Sequence, residues 1–106
     1  MHWTVAQTLA ELKRELAPLY SERLKGLYLF GSRARGDARA DSDIDLLVVL
    51  DAAPSYGAEV DRTSELVARI SLDSGISISP VFVSETAWRS ESSPFLENVR
   101  EEAIAA

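Results

Sequence analysis

The chain has 106 residues, 46% of them apolar, and a formal net charge of -6, which suits one domain with a modest core. With no cysteine and one histidine, His2, it excludes disulfides, thiolate metal sites and histidine-built zinc sites, so any metal must be held by oxygen. The negative balance also argues against general nucleic-acid binding, which needs clustered Lys and Arg against phosphate backbones.

Val5, Leu9, Leu12 and Leu16 recur at helical spacing, and Pro18 marks a stop, predicting a first helix over Thr4 to Ala17. After the charged link SERLKG, LYLF reads as a short buried strand ending at Gly31. DIDLLVVL is the second strand, apolar on both faces and therefore central. AAPSYG is a connection. From Tyr56 a second helix follows, its stripe being Val60, Leu66, Val67 and Ile70, weakened by Thr63 and Ser64 and closed by Gly75. ISISPVFV alternates as a third strand, and Pro80 assigns it to an edge or a bulge. Ser84 N-caps a short turn through Trp88, and Ser93-Pro94 opens a last helix carrying Phe95, Leu96, Val99 and Ile104. So few strands cannot bury themselves, which predicts an α/β sandwich of helices on a small mixed sheet of three or four strands, one domain over residues 1–106.

The longest apolar run, Leu46 to Leu50, is far too short to span a bilayer, and MHWTVAQTLAEL lacks a leader pattern, so the expected location is cytoplasmic, with no membrane role. Residues 1–50 hold seven basic and seven acidic side chains, whereas residues 51–106 hold four and ten. The acidic second half, with Tyr56, Trp88 and Phe95, fits a protein partner better than DNA, although Trp88 and Phe95 equally suit closing the core.

The chemistry concentrates in GSRARGDARADSDIDLLV. Alternate residues of a strand share a face, so Asp43 and Asp45 converge, with Cα atoms about 6.5–7 Å apart. Two anions this close repel unless a cation lies between them, and with oxygen donors alone that cation is Mg²⁺ or Mn²⁺, commonly completed by substrate phosphates. The Gly31-Ser32 turn would let a phosphate approach the backbone. Arg33, Arg35 and Arg39 would either neutralise triphosphate charge or hold the loop against Asp37 and Asp41. The order of these parts points to metal-assisted phosphoryl or nucleotidyl transfer.

The same stretch resembles the signature G-S-x-A-R-G, then S-D-x-D running into an apolar strand, of the minimal nucleotidyltransferases in the DNA polymerase-beta superfamily. That resemblance implies the polymerase-beta-like nucleotidyltransferase fold, with Gly31 and Ser32 on the triphosphate, where Arg33 and Arg35 would join them if they neutralise its charge, and with Asp43 and Asp45 as catalytic metal ligands. It also implies an antitoxin paired with a HEPN-type toxin, transferring AMP from ATP to a tyrosine of that partner. In one respect the sequence departs from the family. The third carboxylate is expected on the strand GISISPVFV, where the matching position is Ser77 or Ser79, neither of them acidic. Two readings follow: an enzyme whose missing acid comes from Asp41 or from its partner, or a nucleotide-binding antitoxin that works by contact alone.

Overall fold

The computed structural model describes residues 3–52 and 55–106; His2 and the Ala53-Pro54 part of the expected connection lie outside them. Helix α1, Val5–Tyr20, starts at a capping box in which Thr4 accepts from the Gln7 N–H and Gln7 returns a bond to the Thr4 N–H. It continues through Pro18 instead of ending at Ala17, a correction to the sequence reading. Proline in the last turn forfeits a single intrahelical bond, and Tyr20, the last residue of the helix, is buried. A 3₁₀ turn over Ser21–Arg23 leads into strand β1, Leu24–Phe30, so half of the expected charged link is already strand.

The short helix α2, Ser32–Arg35, follows at once, and after a loop comes β2, Ile44–Leu50. Helix α3, Tyr56–Ser74, closes on Gly75 in the left-handed conformation, which a Cβ would disfavour. Strand β3, Ile78–Ser84, helix α4, Glu85–Ser90, and helix α5, Pro94–Glu102, complete the fold with a two-residue strand β4, Ile104–Ala105. The expected caps Ser84 and Ser93 accept from the Ala87 and Leu96 N–H groups. Ile104, expected on the last helix, lies on β4 and is exposed, because the chain turns extended at Ala103 to pair with β1.

The sheet order is β3-β2-β1-β4, with β1 antiparallel to both neighbours and β2 parallel to β3. This is the mixed sheet that the sequence predicts, with β2 central and the Pro80-bearing strand at an edge. On one face Leu46, Val48 and Leu50 pack with Leu12, Leu16 and Tyr20 of α1 and Ile70 of α3. On the other, Phe30, Leu47 and Val49 meet Val99 of α5, with Trp88 closing the edge. Burying each such side chain contributes about 1.5–3 kcal/mol, enough for these two small layers to hold β2 rigid.

Two side-chain expectations change. On α3 the buried stripe is Glu59, Thr63, Ile70 and Ser74, not one led by Val60, which is exposed. Thr63 is tolerated inside because its hydroxyl donates to the Glu59 carbonyl, 2.8 Å away. Glu59 is tolerated because it accepts from Tyr20 Oη at 2.7 Å, Arg62 Nε at 3.1 Å and Arg23 Nη2 at 3.4 Å, tying α1 to α3. Trp88 serves the core: its ring lies 4.9 Å from that of Tyr28 and under the Arg100 guanidinium. Phe95 and Tyr56 remain substantially exposed, each edge-on to one core ring, Phe30 and Phe82 respectively.

Candidate functional site

The end of β2 is the foundation, because a strand buried on both faces cannot shift its first residues. In the β1–β2 register Asp45 stands opposite Phe30, the last residue of β1, and Asp43 lies two residues earlier, just before β2 begins. Gly31 follows Phe30 with φ 75° and ψ -159°, a combination reached essentially by glycine alone. The Asp45 carboxylate lies against its Cα: a Cβ there would overlap Oδ2 and sit 3.0 Å from Cγ. The turn is thus bare on the side where the acid stands.

Helix α2 starts immediately after that turn. Its first N–H groups, at Ser32 and Arg33, have no preceding turn to bond to, whereas those of Ala34 and Arg35 both donate to the Gly31 carbonyl at 3.0 Å. The two signature arginines divide their work. Arg33 stitches the following loop: Nε and Nη2 donate to the Ser42 carbonyl at 2.9 and 2.7 Å, and Nη2 reaches the Arg39 carbonyl at 3.4 Å. Ser42 reinforces the loop by accepting from the Arg39 N–H at 2.8 Å. Arg35 instead pairs with two acids, Nε to Asp37 at 3.3 Å and Nη1 to Glu102 of α5 at 2.7 Å. Of the two roles considered for the arginine cluster, loop holding is therefore realised by Arg33 through carbonyls and by Arg35 through Asp37. Arg39 forms no ion pair among the described residues, and Asp41 is exposed.

Burial pushes the Asp45 carboxyl above its ordinary value, the nearby Asp43 and Glu102 carboxylates push the same way, and Arg35 opposes them. An acid held in this state gains from a cation. The donors are all hard oxygens, so the pair fits Mg²⁺ or Mn²⁺ with phosphate and water completing the shell, in keeping with the bare cradle at Gly31. Among the described residues no three acids or histidines are gathered closely enough to hold an ion by themselves.

The position of the expected third acid can now be read from the register. Asp45 is paired with Ser79 on β3, and the Ile44 N–H donates to the Ser77 carbonyl at 2.8 Å. Paired residues of parallel strands share a face, so Ser79 is the one beside Asp45, and it is neutral. Asp73 lies on α3, in the helix layer that covers the opposite face of the sheet from Asp45. Glu102 was not anticipated. It is separated from Arg35 by 67 positions, and in the sequence it reads as the solvated acidic end of a helix.

A model described as nucleotidyltransferase domain matches residues 9–102, nearly the whole chain. The chain belongs to this nucleotidyltransferase family. A Methanocaldococcus jannaschii protein provisionally named protein adenylyltransferase is 33% identical over 97 residues, 91% of each chain. A solved structure provisionally described as a minimal nucleotidyltransferase shares 29% identity, with a TM-score of 0.59, covering 93% of this chain and 88% of that one. A toxin–antitoxin complex crystallised with AMP-PNP superposes with a TM-score of 0.64 at 22% identity, over 96% of this chain and 72% of that one, a likeness of fold. The nucleotidyltransferase fold implied by the signature is therefore the fold observed. No helix among the described residues is long and apolar enough to cross a membrane.

Proposed function

We propose that this nucleotidyltransferase transfers AMP from ATP to a hydroxyl of a partner protein, a tyrosine of a HEPN-type toxin, releasing pyrophosphate and the hydroxyl proton, and so acts as the antitoxin of the pair. The observation that carries the reading is the Asp45 carboxylate lying against the bare Cα of Gly31 at the end of a buried strand. Gly31 and Ser32 would border the triphosphate, with Arg35 donating to it, while Arg33 keeps the 37–42 loop in place behind them. Asp43 and Asp45 would hold Mg²⁺ or Mn²⁺, which when bound screens phosphate charge and lowers the cost of bringing a nucleophile to phosphorus. The name protein adenylyltransferase of a relative and the AMP-PNP complex of a structural neighbour support AMP as the transferred group and ATP as its source. The acidic second half and exposed Phe95 and Tyr56 support a protein acceptor over nucleic acid.

The protein incubated with ATP, Mg²⁺ and its copurifying partner should add an AMP-sized mass to the partner, and Asp43→Asn should abolish the increment. An unmodified partner with the wild-type protein refutes transfer. A second reading, neutralisation by contact alone, is favoured by one observation, the neutral Ser79 beside Asp45. It predicts that a variant carrying both Asp43→Asn and Asp45→Asn still neutralises the partner; a folded double variant that fails to do so excludes it.

A further inference from the structure

We propose that Glu102 is a positioning residue for nucleotide binding, holding the Arg35 guanidinium so that its free edge faces the phosphates. The inference rests on the proposed nucleotide site and adds to it a residue that lies outside the signature.

A guanidinium has five N–H donors in a rigid fork. On Arg35 the Nε hydrogen goes to Asp37 at 3.3 Å, and one Nη1 hydrogen goes to Glu102 at 2.7 Å. Among the described residues the two hydrogens on Nη2 and the second on Nη1 have no partner and remain for an anion, and the side chain is about half exposed, so an anion can reach them. Asp37 is itself exposed and close in sequence, which makes it a loose tether. Glu102 is the firm one, with a side chain 17% exposed on a helix that is fixed at several points. Leu96 and Val99 bury that helix against the sheet, and Arg100 donates to the carbonyls of Ala87, Trp88 and Glu91.

The strand register explains why Glu102 arrives at the site. Ile104 pairs with Leu29 and Ala105 with Tyr28, antiparallel, so the chain enters β4 near the Gly31 end of β1, and Glu102, the last residue of α5, stands just before that entry. The site is thereby flanked on its β3 side by neutral Ser79 and on its β1 side by an acid that clasps an arginine. A free arginine loses rotamer freedom when an anion immobilises it. One already clasped has surrendered much of that before the nucleotide arrives, so holding Arg35 favours binding.

The test is a double-mutant cycle read by AMP-PNP affinity, measured by calorimetry with Mg²⁺ on the full chain, with thermal melts as the folding control. Glu102→Ala should weaken AMP-PNP several-fold, Glu102→Gln should recover part of the loss through its remaining amide oxygen, and Arg35→Ala should weaken it at least as much as Glu102→Ala. In the Arg35→Ala background Glu102→Ala should change nothing further. A purely structural role for Glu102 would lower the melting temperature and carry its effect on affinity unchanged into the Arg35→Ala background, which overturns the proposal. Wild-type affinity in Glu102→Ala overturns it, and so does tighter binding, since Glu102 would then be a competitor of the phosphates. Wild-type protein that does not bind AMP-PNP at all refutes the nucleotide site itself, and with it this role.

Discussion

Gly31 offers the most direct physical test of the site, because two independent costs meet there. Replacing it by alanine forces a side chain into φ 75°, ψ -159°, worth about 1–3 kcal/mol of backbone strain. The new Cβ also overlaps the Asp45 carboxylate and approaches the Asp45 Cβ at 3.3 Å. The aspartate cannot simply retreat, since its backbone is locked between β1 and β3, so relief requires an off-rotamer side chain or a shifted strand, about 1–3 kcal/mol more. The sum, about 2–6 kcal/mol, is large against the roughly 5–15 kcal/mol that hold a small domain together. At about 4–8 °C per kcal/mol for a domain near this size, Gly31→Ala should melt about 10 °C or more below wild type by circular dichroism. Combining it with Asp45→Ala should remove the overlap and leave only the strain, giving a favourable coupling of about 1–3 kcal/mol. A single variant melting within about 3 °C of wild type, or a cycle with no coupling, would refute the claim that the bare turn is needed by the carboxylate beside it.

Three further outcomes follow from the charges. Asp45 has a folded-state pKa raised above 3.8, so its ionisation costs stability as pH rises from there; Asp45→Asn should therefore melt higher than wild type near neutral pH, with the gain vanishing as pH falls below about 3.8. A gain that persists unchanged in acid would contradict this. Glu59 behaves in the opposite sense: burial alone would raise its pKa, but bonds from Tyr20, Arg62 and Arg23 overcome that and hold it below the ordinary 4.5. Glu59→Gln should melt lower at neutral pH, and the deficit should shrink as pH drops through and below 4.5, where wild type loses the same charge; a pH-independent deficit would mean that the hydrogen bonds alone matter. Finally, Ser79→Asp should lower the melting temperature without metal, through repulsion with Asp45, yet tighten Mn²⁺ binding in the presence of AMP-PNP, as read by calorimetry. Unchanged Mn²⁺ affinity would show that the β3 position does not face the ion.

The local determinants of this protein were legible because they act over short separations. The start of α1 after Thr4, the serine caps at 84 and 93, the stop at Gly75 and the run Leu46 to Leu50 each depend on a few neighbouring residues, and each forms where the pattern predicts. The signature between Gly31 and Asp45 is legible for the same reason, since one hairpin carries it whole. What pattern misreads is what packing overrules. Pro18 does not end α1 because Tyr20 has a buried acid to bond, and Thr63 enters the core because a carbonyl one turn back accepts its hydroxyl.

Composition and spacing, then, determined the longer helices, the first three strands, the central place of β2 and the pair of aspartates at its mouth, all consequences of which side chains are apolar and how far apart they recur. Only the tertiary structure decided that Ser79, not Ser77, stands beside Asp45, that Glu59 is a buried tie between two helices, and that Arg35 is clasped by an acid near the far end of the chain. Each of these is a pairing across strands or helix layers, fixed by register and burial, and no local pattern encodes a partner 67 residues away.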